Sequence, residues 1–353
     1  DTWFSSSKEG FDSPRDRQQC TLSNSMYSTQ TLEKITIEPT SYCNARCPQC
    51  DRFDEKNNLL VPLRHLDLGV LKERLDPGML PNLKKVEFEG NCGDVMSHNN
   101  PLGLVYLYRD VRQLMLVTNG SIRNVDFFRE LAKFPNMELW FSVDGLQDTN
   151  HLYRQDCDFD RIMANADAYI QAGGKATWKF IVFQHNQHQV EQARALSEKM
   201  GFRNFSVINS DRSWHHGNKW PVYNRGEYQF DLEPSDEVNE GELQSDHRQL
   251  GKDLSNLYRT HNSIKRCPQS EAKSIFVDHK GHVIPCCMLS IDFWRDTNNT
   301  PLLRKYLRQP GSINLNHHSM DEIFESDFYQ HDLPRSLAHQ PMPTCIQHCA
   351  EAT

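Results

Sequence analysis

Between residues 34 and 210 of this 353-residue chain, six short runs rich in β-branched and aromatic residues alternate with helix-like stretches. The runs are KITIEP (34–39), KVEFEG (85–90), LMLVTNG (114–120), ELWFSVDG (138–145), TWKFIVF (177–183) and NFSVINS (204–210). Between them lie VDFFRELAKF (125–134), FDRIMANADAYIQAGG (159–174) and HQVEQARALSEKMGF (188–202). The last two reach glycines, where helices commonly stop. Six strands alternating with helices predict a parallel sheet. Such a sheet places ligands at the carboxyl ends of its strands. Those ends carry the most informative residues: a cysteine loop after the first run, GNCGD (90–94) after the second, TNG (118–120) after the third, and Ser142 and Asp144 at the end of the fourth.

The loop EPTSYCNARCPQCDRF (38–53) spaces Cys43, Cys47 and Cys50 as C-x3-C-x2-C. Three thiolates can hold a tetrahedral metal, but they leave one position open. A [4Fe–4S] cube normally takes four cysteines. With three, one iron is free to bind a small molecule, as a cluster needs if it is to pass an electron into a bound cofactor. A structural zinc or a coincidental thiol cluster is the alternative reading of the spacing. Eleven cysteines in a chain with no other sign of secretion favour metal binding or catalysis over a disulfide scaffold. The net charge of −8 disfavours a generic nucleic-acid surface, which rests on clustered Lys and Arg. No apolar run approaches the ~20 residues that span a bilayer, and the N-terminus shows no secretory signal.

C-x3-C-x2-C after the first strand of a (β/α) domain resembles the signature of radical S-adenosylmethionine (SAM) enzymes. The resemblance implies a partial (β/α)6 TIM-like barrel. It also implies a [4Fe–4S] cluster on Cys43, Cys47 and Cys50 whose open iron is chelated by SAM. Reductive cleavage of SAM then gives a 5′-deoxyadenosyl radical that abstracts hydrogen from a substrate, with SAM and Fe–S as the radical cofactors. GNCGD falls where that family carries a Gly-Gly-Glu motif. Gly90, Asn91, Gly93 and Asp94 are therefore expected at SAM, the last two receiving its amino group. SVDGLQDTNHLYR (142–154) resembles the family's Ser-x-Asp-Gly…Tyr-Arg stretch, which assigns Ser142 and Arg154 to the SAM carboxylate. An Arg suits that job because its planar fork binds a carboxylate bidentately. Asn119 is expected in the same pocket, with Lys179 and His185 on its substrate edge. Two residues depart from the family pattern: Gln49 where many members have an aromatic, and Asp94 where they have Glu.

Cys267, Cys286, Cys345 and Cys349 supply four thiols, enough for every iron of a second cube. The pattern around VDHKGHVIPCC and TCIQHC resembles the SPASM and twitch extensions of radical SAM enzymes, where a hairpin with a glycine turn presents a cysteine and a closing pair completes an auxiliary [4Fe–4S] cluster. SIFVDHKGHVIPCCM (274–288) reads as that hairpin, with its turn at Lys280-Gly281. Cys286 is the expected ligand, with Cys287 packed as a small apolar residue and His348 outside the ligand set. A zinc ribbon on the same four thiols is the alternative.

The expected organisation is α/β: an N-terminal arm (1–33), the partial barrel (34–210), a connecting segment (211–260) and a small β-hairpin and helix domain for the auxiliary cluster (261–353). The connection carries WHHGNKW (214–220), a surface loop or a substrate mouth, and an acidic run (231–242) that reads as a solvated face. The expected function is hydrogen abstraction from a small molecule or peptide, ending in a net oxidation or bond formation. A low-potential donor such as a flavodoxin or ferredoxin and a reducing, cytoplasmic setting go with it. The rival is a non-catalytic zinc or Fe–S binding or assembly protein on the same fold. Group transfer from SAM without hydrogen abstraction ranks below both, as no cobalamin domain is apparent.

Overall fold

The computed structural model describes residues 26–210, 219–236, 263–264, 266–294, 301–308 and 312–349. Most of the N-terminal arm, the first residues of WHHGNKW and the second half of the acidic run lie outside the described residues.

All six predicted runs are strands: β1 (Lys34–Ile37), β2 (Lys85–Phe88), β3 (Gln113–Thr118), β4 (Met137–Ser142), β5 (Lys175–Val182) and β6 (Asn204–Asn209). They pair in parallel and in chain order. Helices α1 (Leu68–Arg74), α2 (Pro101–Leu107), α3 (Val125–Leu131), α4 (Asn150–Tyr153), α5 (Phe159–Gln171) and α6 (Val190–Met200) fill the connections. Local chemistry sets their ends. Asn124 caps α3 through the Phe127 N–H, Asp158 caps α5 through the Arg161 N–H, and Gly201, at φ 88°, closes α6 in the left-handed conformation.

Strand alternation decides which side chains meet the helices. On β5, Trp178 and Phe180 are fully buried, with Trp178 against Phe202 at 5.4 Å and Phe205 at 5.7 Å between ring centroids. The intervening Lys179 and Ile181 line a cavity on the other face. The Trp178 indole donates to the Val143 carbonyl at 2.8 Å, so this ring joins core packing to the end of β4. Trp178→Phe is expected to lower stability by about 1–3 kcal/mol, since the buried carbonyl loses its donor. Urea unfolding measures this, and an unchanged midpoint would refute it.

Two features differ from the sequence expectation. Part of the segment read as a connection is a hairpin, β7 (Trp220–Asn224) with β8 (Glu227–Leu232). Its two-residue turn holds Arg225 at φ 50° and Gly226 at φ 87°, the left-handed pair that matches strand twist. The C-terminal hairpin, β9 (Ser274–Val277) with β10 (Val283–Ile284), turns near Gly281 as predicted. It does not stand apart from the barrel. β9 pairs in parallel with β1, from Lys34↔Ser274 to Ile37↔Val277, and extends the same sheet to eight strands. All four residues of β9 are buried, as suits a strand with neighbours on both sides. The cysteine-bearing end of the chain is thereby set beside the first cysteine loop.

Among the described residues no helix is long and apolar enough to cross a membrane.

Candidate active site

A cavity of ≈ 290 Å³ lies at the carboxyl ends of the strands. Cys43, Cys47 and Cys50 enter it from the loop after β1, and Gly90, Asn91, Gly93 and Asp94 from the connection after β2. Asn119 follows β3, Ser142 ends β4, and Arg154 follows α4. All the residues expected at SAM and its cluster thus share one cavity, although they span more than a hundred positions.

The cysteine loop is held from inside. Arg52 donates through Nη1 to the carbonyls of Cys43 (3.1 Å) and Ala45 (3.2 Å), and Arg46 donates to the Asn57 carbonyl at 2.6 Å. Both guanidiniums lie over Phe53, at 4.8 and 5.0 Å from its centroid. The two motif loops touch: the Asp94 N–H donates to the Tyr42 carbonyl at 2.9 Å. A Cβ at Gly93 would stand 1.7 Å from the Thr40 carbonyl oxygen, so only glycine fits. The Asp94 carboxylate accepts from the Met96 N–H (2.9 Å), the Asn119 N–H (2.7 Å) and the Thr118 hydroxyl (2.9 Å), tying the ends of β2 and β3 together. Burial raises its pKa, opposed by those donors.

Two of the three loop thiols have N–H donors aimed at sulfur. Asn119 Nδ2 stands 3.6 Å from Cys43 Sγ, and Arg154 Nη1 stands 3.7 Å from Cys47 Sγ. Such hydrogen bonds tune thiolates that hold iron–sulfur clusters. Arg154 is oriented by Asp144, whose carboxylate takes its Nε–H at 2.5 Å and the Ile181 N–H at 2.7 Å. Burial works against the guanidinium charge, but Asp144 and Cys47 hold its pKa well above the ordinary value. Burial also lifts the pKa of Cys43, helped by Asp94 and Cys47, and that of Cys47, where Arg154 opposes it. Left alone, these groups stay thiols. Loading with metal would release their protons.

The C-terminal thiols also converge. Burial raises the Cys286 pKa, and the charges of Cys287, Cys345 and Cys267 raise it further; Cys267 acts likewise on Cys349, after burial. No set of three or more Cys, His, Asp or Glu is arranged among the described residues to hold a single metal ion. A cube of four irons spreads its thiolates more widely than one ion does.

Cys287 is half-buried and packed against the core, and with Met288 and His348 it forms part of the cavity wall. The Cys287 carbonyl accepts from Asn91 Nδ2 at 3.0 Å. Nearby, the fully buried Glu38 carboxylate takes the Cys92 N–H at 2.5 Å and meets His279 Nδ1 at 3.0 Å. One acid thus spans the motif loop and the C-terminal hairpin. His185 does not reach the cavity; it stacks on Phe183 at 5.5 Å, and burial pulls its pKa down to about 4. Sequence reasoning missed Glu89, Arg52 and the orienting role of Asp144. The alternation in KVEFEG, with Lys85, Glu87 and Glu89 on one face, was the signal for the first of these.

Residues 267–350 match the model of SPASM, an iron–sulfur cluster-binding domain. Among solved structures, Streptococcus suis SuiB bound to S-adenosylmethionine aligns with TM-score 0.50 at 12% identity, covering 92% of this chain and 69% of that one. SuiB bound to precursor peptide SuiA gives 0.50 at 12%, covering 98% and 75%. Native anSMEcpe with bound AdoMet gives 0.51 at 16%, covering 85% and 82%. The comparison with curated proteins returned no match. Fold and domain match together define the class: an α/β protein that shares the fold of these S-adenosylmethionine-bound structures and carries a C-terminal segment matching the SPASM iron–sulfur cluster-binding domain.

Proposed function

We propose that this chain is a radical SAM enzyme acting on a small molecule or peptide. The observation that carries the reading is the single cavity in which three cysteines meet Asn119 and Arg154 donors aimed at their sulfurs. Cys43, Cys47 and Cys50 would hold a [4Fe–4S] cluster. The donor set fits it: three thiols, Cys47 buried and Cys43 and Cys50 partly so, two of them facing N–H donors, with no fourth protein thiolate supplied by the loop. When bound, cluster and SAM supply a 5′-deoxyadenosyl radical, which takes a hydrogen atom from the substrate. Cys267, Cys286, Cys345 and Cys349 would hold an auxiliary cluster able to accept an electron.

The chain's own residues bind and exclude. Arg154 and Ser142 present a guanidinium and a hydroxyl to a carboxylate. Gly93 allows the motif loop to lie against the cysteine loop, and with Asp94 it would receive the cofactor's amino group. Glu38, His279, Asn91 and Cys287 tie the loop after β2 to the C-terminal segment through hydrogen bonds. A peptide substrate is supported by SuiB, crystallised with precursor peptide SuiA. A flavodoxin or ferredoxin donor in a reducing, cytoplasmic setting completes the reading.

The test is anaerobic purification, iron and sulfide counts, dithionite reduction, and assay of 5′-deoxyadenosine after adding SAM. About eight irons per chain are expected, four per cube. Cys43→Ala is expected to lose about half the iron and all deoxyadenosine. Zinc in place of iron, with SAM left intact, would overturn the reading and restore the binding-protein alternative.

A further inference from the structure

The hollow face of the sheet carries charges of two kinds. Glu87, on β2, is answered by the protein itself: Lys34 at 2.7 Å, Lys85 at 2.6 Å and the Thr36 hydroxyl at 3.1 Å. Burial works against its charge, but the two lysines hold its pKa below the usual value. Glu89, two residues on and on the same face, lines the cavity; its N–H donates to the Ile37 carbonyl, but its carboxylate has no hydrogen bond or ion pair among the described residues. Burial lifts its pKa, with the Lys179 charge the main opposing influence. Lys179 comes from β5, in register with Ser142 on β4. It lines the same cavity, and its ammonium too makes no hydrogen bond or ion pair among the described residues, although its carbonyl accepts from the Val143 N–H. One pair further down the sheet, Thr177 is satisfied by Glu138 at 2.6 Å, while the Trp140 indole N–H is buried without a partner.

A charge withdrawn from water without a partner is costly, so a fold keeps one where a ligand completes it. The groups expected at SAM differ in this respect: Asp94, Asn119 and Arg154 are already bonded to protein. Among the described residues, Glu89 and Lys179 are the cavity's acid and base whose charged groups make no hydrogen bond or ion pair; the Lys179 charge acts from further off on Glu89 and on Asp144.

We propose that Glu89 and Lys179 form the substrate subsite and take a small zwitterion of amino-acid type, its ammonium toward Glu89 and its carboxylate toward Lys179. This rests on reading the cavity as the reaction chamber, and it adds the chemical class of what enters. An amino acid or short peptide presenting both charges satisfies the two groups at once. A singly charged or neutral compound leaves one of them bare.

The test titrates the cluster-loaded, SAM-bound protein by calorimetry with three probe sets: free amino acids, their amides, which carry only the cation, and their N-acetyl derivatives, which carry only the anion. A free amino acid is expected to bind at least about tenfold more tightly than its amide or N-acetyl form, the effect of one charge-assisted bond. Lys179→Met should abolish the preference over the amide, Lys179→Arg should keep it, and Glu89→Gln should abolish the preference over the N-acetyl form. The SAM dissociation constant should stay within about twofold in all three variants. If either charge-removing variant instead weakens SAM about tenfold, the pair belongs to the SAM site and the proposal falls. It falls equally if no free amino acid binds, or if amides and N-acetyl forms bind as well. Failure of the enzyme reading looks different: wild-type protein without iron, or without SAM cleavage.

Discussion

Arg154→Ala is expected to cost about 3–5 kcal/mol of stability and to abolish SAM binding together. The guanidinium is 14% exposed and its partner Asp144 fully buried, so removing the cation leaves a carboxylate in the interior with the Ile181 N–H as its hydrogen-bond donor and only the more distant Lys179 charge to oppose it. Uncompensated buried charges carry penalties of that size. The same substitution removes the N–H donor from Cys47 and the fork expected at the SAM carboxylate. The two losses separate experimentally. Replacing Asp144 as well, as Asp144→Asn with Arg154→Ala, should recover part of the stability but none of the SAM affinity. Urea denaturation reads the first and equilibrium dialysis the second. A single variant as stable as wild type would show that the pair is not buried in the working protein.

The second large effect is at Gly93. A methyl group there would overlap the Thr40 carbonyl oxygen at 1.7 Å and the Thr40 carbonyl carbon at 2.6 Å, both backbone atoms that cannot rotate away. Gly93→Ala must therefore push the loop after β2 off the cysteine loop, breaking the Asp94 N–H to Tyr42 bond. Overpacking of this kind costs about 1–3 kcal/mol or more. The chain should still fold, because the sheet lies elsewhere. Iron retained after desalting is expected to fall by at least about half, if displacing the loop frees one of the two cubes. Full iron content and unchanged deoxyadenosine formation in Gly93→Ala would sink the argument.

These predictions rest on different depths of information. The six barrel strands were legible because each is a local pattern: alternating side chains, bounded by residues that stop strands. The cysteine loop was legible because three thiols at fixed spacing restrict chemistry more than any other triad in the chain. The Gly93 requirement was visible only as a motif; the oxygen that imposes it belongs to Thr40, 53 positions earlier. The pairing of β9 with β1 was not legible at all, since Ser274 meets Lys34 across 240 residues and parallel strands leave no turn between them to read. The hairpin of β7 and β8 was read as a connection because its polar, aromatic residues hid a two-residue turn at Arg225-Gly226.

The sequence by itself determined the elements and the inventory of reactive groups, because helices, strands and ligand spacings are properties of neighbouring residues. Tertiary structure decided which groups are answered and which are left open. Glu87 and Glu89 look alike in KVEFEG; Glu87 is answered by the local Lys85 together with Lys34 and Thr36 from the neighbouring strand β1, while Glu89 lines a cavity that it shares with Lys179. Charge compensation depends on distance in space, and a parallel sheet assembles its neighbours from parts of the chain that share no local pattern.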